Sequence, residues 1–127
     1  MPSTDTLAAV RLYADASGTS HFEDVPVTFQ LTDFAPPAPP VDVSPFEAAT
    51  RYCFSRAPVG WSGDWHPAPR RQLALILSGQ LEVMAGDGET RRLGAGTAVL
   101  LEDTMGRGHR TRVIGSVPAV LAFVQLE

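Results

Sequence analysis

The sequence predicts an all-β domain of the sandwich or barrel kind, and three observations carry that expectation. Eleven glycines and eleven prolines are dispersed through 127 residues, so turns are dense. Short apolar segments recur between those turns at even spacing. No segment holds a 3.6-residue apolar period for more than a turn or two. The charged fraction of 19% lies below the roughly 25% of an average globular chain, which excludes helix bundles and coiled coils. With 44% hydrophobic residues, the length suffices for one core without disulfides or structural metals.

Each element follows from local pattern. Val10 to Ala14 reads as a brief strand closed by Asp15-Ala16-Ser17-Gly18. Val25, Val27, Phe29 and Leu31 alternate with polar residues and Pro26, the period of a half-buried strand. Pro36-Pro37-Ala38-Pro39-Pro40 predicts an extended, stiff connector between strands. Ala49 to Phe54 alternates again, placing Cys53 in the core as a small apolar residue. Gln72 to Leu77 is a buried run, and Ser78-Gly79-Gln80 predicts a hairpin into Leu81 to Ala85. Gly86-Asp87-Gly88-Glu89 is a stronger hairpin signal, because Asp-Gly supplies positive φ angles. Thr90 to Leu93, Thr97 to Leu101, Thr111 to Ile114 and Ala119 to Gln125 complete the strands.

Charge and cysteine usage bound the partners. Fourteen acids against ten bases, all of them Arg, give a net charge of −4. A chain without a basic stripe lacks the footprint of phosphate-backbone binding, so no nucleic-acid partner is expected. Cys53 is the sole cysteine and has no internal disulfide partner. Met1-Pro2-Ser3-Thr4-Asp5 carries no leader pattern, and the apolar run Ala119 to Val124 is too short to span a bilayer. The expectation is a cytoplasmic protein without a membrane partner.

Chemistry concentrates around two of the three histidines. Gly60, five residues, His66, Pro67, Ala68, three residues, Gln72, six residues and Gly79 form one spaced set. Gly96 and Gly106-Arg107-Gly108-His109 form a second. These sets resemble the two motifs of the cupin family. Ala68 stands where the first motif has its second histidine, and Gln72 where it has glutamate. In the second motif the interval between glycines is two residues longer, Glu102 takes the proline position and Val113 the asparagine position.

The resemblance implies a double-stranded β-helix, or jelly-roll, barrel. It implies a single domain over 1–127, with strands and the Pro-rich connector in 1–44 and the barrel core in 45–127. It also implies a divalent transition metal (Fe, Zn or Ni) held by His66, Gln72 and His109, acting on a small organic molecule in dioxygenase or isomerase chemistry. The alternative is a cupin that binds a small ligand without catalysis, because two ligand positions have changed. His21 is a possible additional ligand if its strand crosses the barrel mouth. Trp61 and Trp65 are placed to wall a substrate pocket. Glu102 and Asp103, following an apolar run, read as a solvated turn, and Arg70 or Arg71 could grip a carboxylate. The family resemblance further implies a homodimer.

Overall fold

A computed structural model of the chain describes residues 7–126. Met1 to Asp5, read above for a leader, lie outside the described residues. Eleven strands and no helix are found there: β1 (Ala8–Ala14), β2 (Ser20–Asp24), β3 (Gln30–Thr32), β4 (Val41–Val43), β5 (Arg51–Ala57), β6 (Gln72–Ser78), β7 (Gln80–Met84), β8 (Thr90–Gly94), β9 (Thr97–Glu102), β10 (Arg110–Ile114) and β11 (Ala119–Gln125). No helix of the described residues is long and apolar enough to cross a membrane.

The strands form a six-stranded sheet ordered β2-β1-β9-β6-β11-β5, a three-stranded sheet ordered β10-β7-β8, and a separate β3-β4 pair. Alternate residues of the two larger sheets supply one core. Val10, Leu12, Ala74, Ile76, Val99, Leu101 and Leu121 come from the first, and Leu81, Val83, Leu93 and Val113 from the second. This is the period-2 division expected of strands with one face inward. Leu12 is fully buried at the centre.

Two turns behave differently from expectation. Ser78-Gly79-Gln80 is not a hairpin: β6 belongs to the large sheet and β7 to the small one, so the chain crosses between sheets there. Gly79 has φ +79, and any Cβ at that position would strike the Pro118 carbonyl. The proline-rich segment is not an extended connector either. It forms the bend between antiparallel β3 and β4, closed by a hydrogen bond from Ala38 N to Ala35 O at 2.9 Å. Of the strand expected over 25–31, only Gln30–Thr32 forms. Pro26 has no N–H to give a ladder, and Val25 N bonds instead to Ala9 O at 3.0 Å.

Gly86 to Glu89 makes the hairpin that the sequence called for, with Ala85 N bonded to Glu89 O at 2.8 Å. Ser20, 1% exposed, ties β2 to two distant loops. Its hydroxyl donates to Gly108 O at 2.7 Å and accepts from Gly86 N at 2.6 Å.

Beside it, His21 joins the β1–β2 turn to the β7–β8 turn. Its Nε2 lies 2.7 Å from Asp15 Oδ2 and its Nδ1 lies 2.9 Å from Asp87 Oδ2. The bond to Asp15, then the one to Asp87, raises the His21 pKa, while Asp15 is held far below the usual carboxylate range. A histidine raised in the folded state stabilises fully below its unfolded value of about 6.5 and loses that contribution as pH rises through the folded value. Asp15 stabilises above its unfolded value of about 4 and loses its contribution in stronger acid. The stability difference between wild type and His21→Gln, measured by urea unfolding, is therefore larger at about pH 5.5 than at about pH 8.5. Equal differences at both pH values would contradict this.

Candidate functional site

The segment between β5 and β6 has no strand of its own, yet it is fastened along β10. Val113 N donates to Trp61 O at 2.8 Å, and Gly63 N donates to Thr111 O at 2.9 Å. Further along, His66 and His109 exchange both backbone hydrogen bonds, at 3.1 and 3.0 Å. Directly opposed residues of an antiparallel pair send their side chains to the same face. The imidazole centroids accordingly lie 4.9 Å apart. Ala68 N then donates to Asp103 O at 3.0 Å, bringing the end of β9 against the same loop.

Both rings are oriented from behind. His66 Nδ1 is 2.8 Å from the Asp64 carbonyl, which can only accept, so Nδ1 carries the proton and Nε2 is free. His109 Nδ1 donates to Asp103 Oδ2 at 2.6 Å, again leaving Nε2 free. Asp103 is completely buried, and its Oδ1 has no hydrogen-bond partner. A buried carboxyl group placed this way fixes the orientation of the imidazole that donates to it. Asp103 was expected in a solvated turn. The signal that locates it is the alternation of β9, in which Val99 and Leu101 point inward and Asp103 continues the row.

The histidines stand at one end of a cavity of about 530 Å³. That volume falls in the range of small-molecule sites, roughly 300–1,000 Å³. Aliphatic side chains, Ile76, Leu81, Val83, Val99 and Leu121 among them, form much of its wall, and Gln72, Ser55, Arg56 and Thr111 add polar groups to the two imidazoles. Gln72, 6% exposed, faces inward on β6 beside Ala74 and Ile76, and its Oε1 is 3.5 Å from Gln125 Nε2. The structure thus brings His66, Gln72 and His109 to one cavity, and Trp61 lines it as well.

Other candidates go elsewhere. His21 sits on edge strand β2, outside the cavity lining, with both ring nitrogens committed to carboxylates. Trp65 is not part of the lining: the Arg107 guanidinium lies 3.8 Å over its ring centroid. Cys53 is not a core residue but an exposed thiol on β5 that borders the cavity. Glu102 is held between Arg71, at 2.5 Å, and Arg11. Burial pushes its carboxyl up, but the bonds from Arg71 and Arg11 outweigh that and keep it below its ordinary value. Arg71 also pairs with Glu47 at 2.6 Å, so it is committed to protein carboxylates rather than to a ligand.

A model of the cupin domain matches residues 54–125, and the chain belongs to the cupin family. No curated protein is similar to it. The cupin domain of Cnp3 from Schizosaccharomyces pombe superimposes with a TM-score of 0.51 at 15% identity, covering 85% of this chain and 73% of that one. A conserved protein of unknown function from Streptococcus pyogenes has a TM-score of 0.46 at 24% identity. The match covers 60% of this chain and spans 64% of the length of that protein. A putative ethanolamine utilization protein from Salmonella typhimurium has a TM-score of 0.38 at 16% identity, over 99% and 95% of the two chains. The likeness to the Cnp3 cupin domain speaks to the fold alone.

The donor set agrees in kind with a metal centre, since imidazoles whose second nitrogen is tied to a carboxylate or carbonyl are the form that ligates metals. Gln72 brings a neutral oxygen where an acid would bring charge. Among the described residues, no group of three or more His, Cys, Asp or Glu is arranged to hold an ion, so any site rests on the two imidazoles and the amide.

Gly108 allows the histidine pair to form. Its φ is +79, and a Cβ there would overlap the backbone of His66. Gly88, at φ +93, has open space around it. Gly108→Ala is expected to lose about 1–3 kcal/mol more than Gly88→Ala in thermal or urea unfolding, because steric overlap adds to backbone strain. Equal losses would show that the close approach is not required.

Proposed function

We propose that this cupin binds a small organic molecule in its apolar cavity and holds a divalent transition metal (iron, zinc or nickel) through His66, His109 and Gln72. The observation that carries this reading is the pair of Nδ1 hydrogen bonds, to the Asp64 carbonyl and the Asp103 carboxylate, which leave both Nε2 atoms free at the cavity's polar end. A bound metal supplies Lewis-acid polarisation of a ligand oxygen, as an isomerase uses, or with iron the redox capacity of a dioxygenase. The chain's own part is positional. Asp103 fixes the tautomer and orientation of His109. The aliphatic walls exclude water from the ligand's body, and Trp61 covers part of it. A metal held by His66, His109 and Gln72 would have room to take ligand oxygens as further donors. A cytoplasmic setting belongs to the same proposal, supported by the unpaired Cys53 thiol.

A second reading, a cupin that binds its ligand without metal or catalysis, is favoured by Ala68 and Gln72 at two ligand positions of the motif. One experiment separates them. Protein purified without an affinity tag is exposed to Fe(II), Zn(II) or Ni(II), and bound metal is measured by elemental analysis and calorimetry. One equivalent in wild type, absent in His66→Ala and His109→Ala, is the expected result. Asp103→Asn is expected to weaken metal binding about 10- to 100-fold while the fold is retained. No uptake of any of the three metals by wild type would overturn the metal site and leave the ligand-only reading.

A further inference from the structure

The cavity lining is one-sided in charge. Among the described residues no Asp or Glu lines it, and Gln72 is neutral where the motif has glutamate. Arg56 of β5 is the lining side chain with a permanent positive charge. Other arginines are committed to the protein's own acids: Arg11 and Arg71 to Glu102, Arg91 to Glu89 and Asp24, Arg92 and Arg112 to Glu82. Arg56 pairs with no carboxylate among the described residues. Of the two arginines that the sequence offered as a grip for a carboxylate, Arg71 is occupied and Arg70 lies outside the lining.

We infer that the ligand of this cavity is a small monocarboxylic acid with an apolar body, its carboxylate paired with Arg56 at the opening. The inference rests on the reading of the cavity as a ligand site, and it holds with or without a metal. Position supports it first. Cys53, Arg56, Pro58, Trp61 and His66 are lining residues that remain exposed, so they mark the opening. Ser55, Arg56, Ala57 and Pro58 line the cavity in succession, so the end of edge strand β5 runs along the rim. An arginine at the rim stays hydrated until a ligand arrives, and its charge costs the empty fold little.

Chemistry then narrows the ligand. A guanidinium offers two parallel donors to a carboxylate, and apolar walls strengthen the pair by lowering the local dielectric. One guanidinium balances one negative charge. A phosphate monoester carries roughly −1.5 to −2 at neutral pH and would leave the excess uncompensated. The body of the ligand meets Ile76, Leu81, Val83 and Leu121, all buried behind the rim. Against that wall the hydroxyls of a sugar would lose water without gaining partners, whereas a hydrocarbon chain or ring loses nothing.

Paired probes that differ only in charge give the test. Benzoate and benzamide, phenylacetate and phenylacetamide, and isobutyrate and isobutyramide are titrated into the full chain without added metal, followed by calorimetry and amide NMR shifts. The acid of the best-bound pair is expected to bind about tenfold more tightly than its amide. Arg56→Gln is expected to bring the acid down to the level of the amide and to leave the amide's affinity unchanged. Arg51→Gln removes the same charge from a β5 position outside the lining, and the preference is expected to survive it. Phenyl phosphate is expected to bind more weakly than benzoate. Amides that bind as tightly as their acids, a preference that persists in Arg56→Gln, or phenyl phosphate binding more tightly than benzoate each overturn the inference while leaving the cavity a ligand site. No binding of any probe to wild type overturns the inference and the ligand reading together.

Discussion

The polar end of the cavity depends on the two backbone hydrogen bonds exchanged by His66 and His109. One histidine lies in a loop without regular structure and the other just before β10, 43 positions later in the sequence. Opposition across an antiparallel pair is what gives their side chains a common face. The neighbouring bonds, Trp61 with Val113 and Ala68 with Asp103, keep the loop in register on either side. Glycine at 108 permits the approach, since a side chain there would occupy the space of the His66 backbone. Ser20 reaches the Gly108 carbonyl from β2, so even the N-terminal strands help to hold the site.

Electrostatics then give that geometry a direction. Glu102 and Asp103 are adjacent, yet strand alternation sends them to opposite environments. Glu102 meets two guanidinium groups near the surface, where its charge is compensated. Asp103 goes inward to a single imidazole and keeps one oxygen without a partner. A buried carboxylate so sparsely bonded is expensive for the fold. Its position behind His109 gives the expense a use, because the bond to Nδ1 holds the ring with Nε2 turned to the cavity.

Much of this was legible in the sequence. Period-2 patterning located most of the larger sheets' strands, since each buries one face, and Ala119–Gln125 coincides with its expected bounds. The Gly60-to-Gly79 spacing carried His66 and Gln72 to the cavity, and the Gly-x-Gly-His end carried His109. What failed was read from residue type without its tertiary surroundings. Asp103 looked solvated because it is acidic and follows a strand, although alternation already pointed it inward. Cys53 looked buried because strands usually bury one face, whereas β5 ends a sheet and borders an open cavity. The proline run looked straight, but its neighbours pair antiparallel and it must turn. His21 looked like a possible ligand until two turns, distant in sequence, brought a carboxylate to each ring nitrogen.

The central claim is that His66 and His109 present unprotonated Nε2 atoms to the cavity. Nitrogen NMR of protein labelled with ¹⁵N-histidine tests it most directly, because ring nitrogens report their protonation and ligation individually. Without added metal, the neutral forms of His66 and His109 are expected to carry the proton on Nδ1. Added Zn(II) should then shift their Nε2 resonances and leave His21 unmoved. Protons on Nε2 of either ring, or Zn(II) shifts confined to His21, would contradict the account.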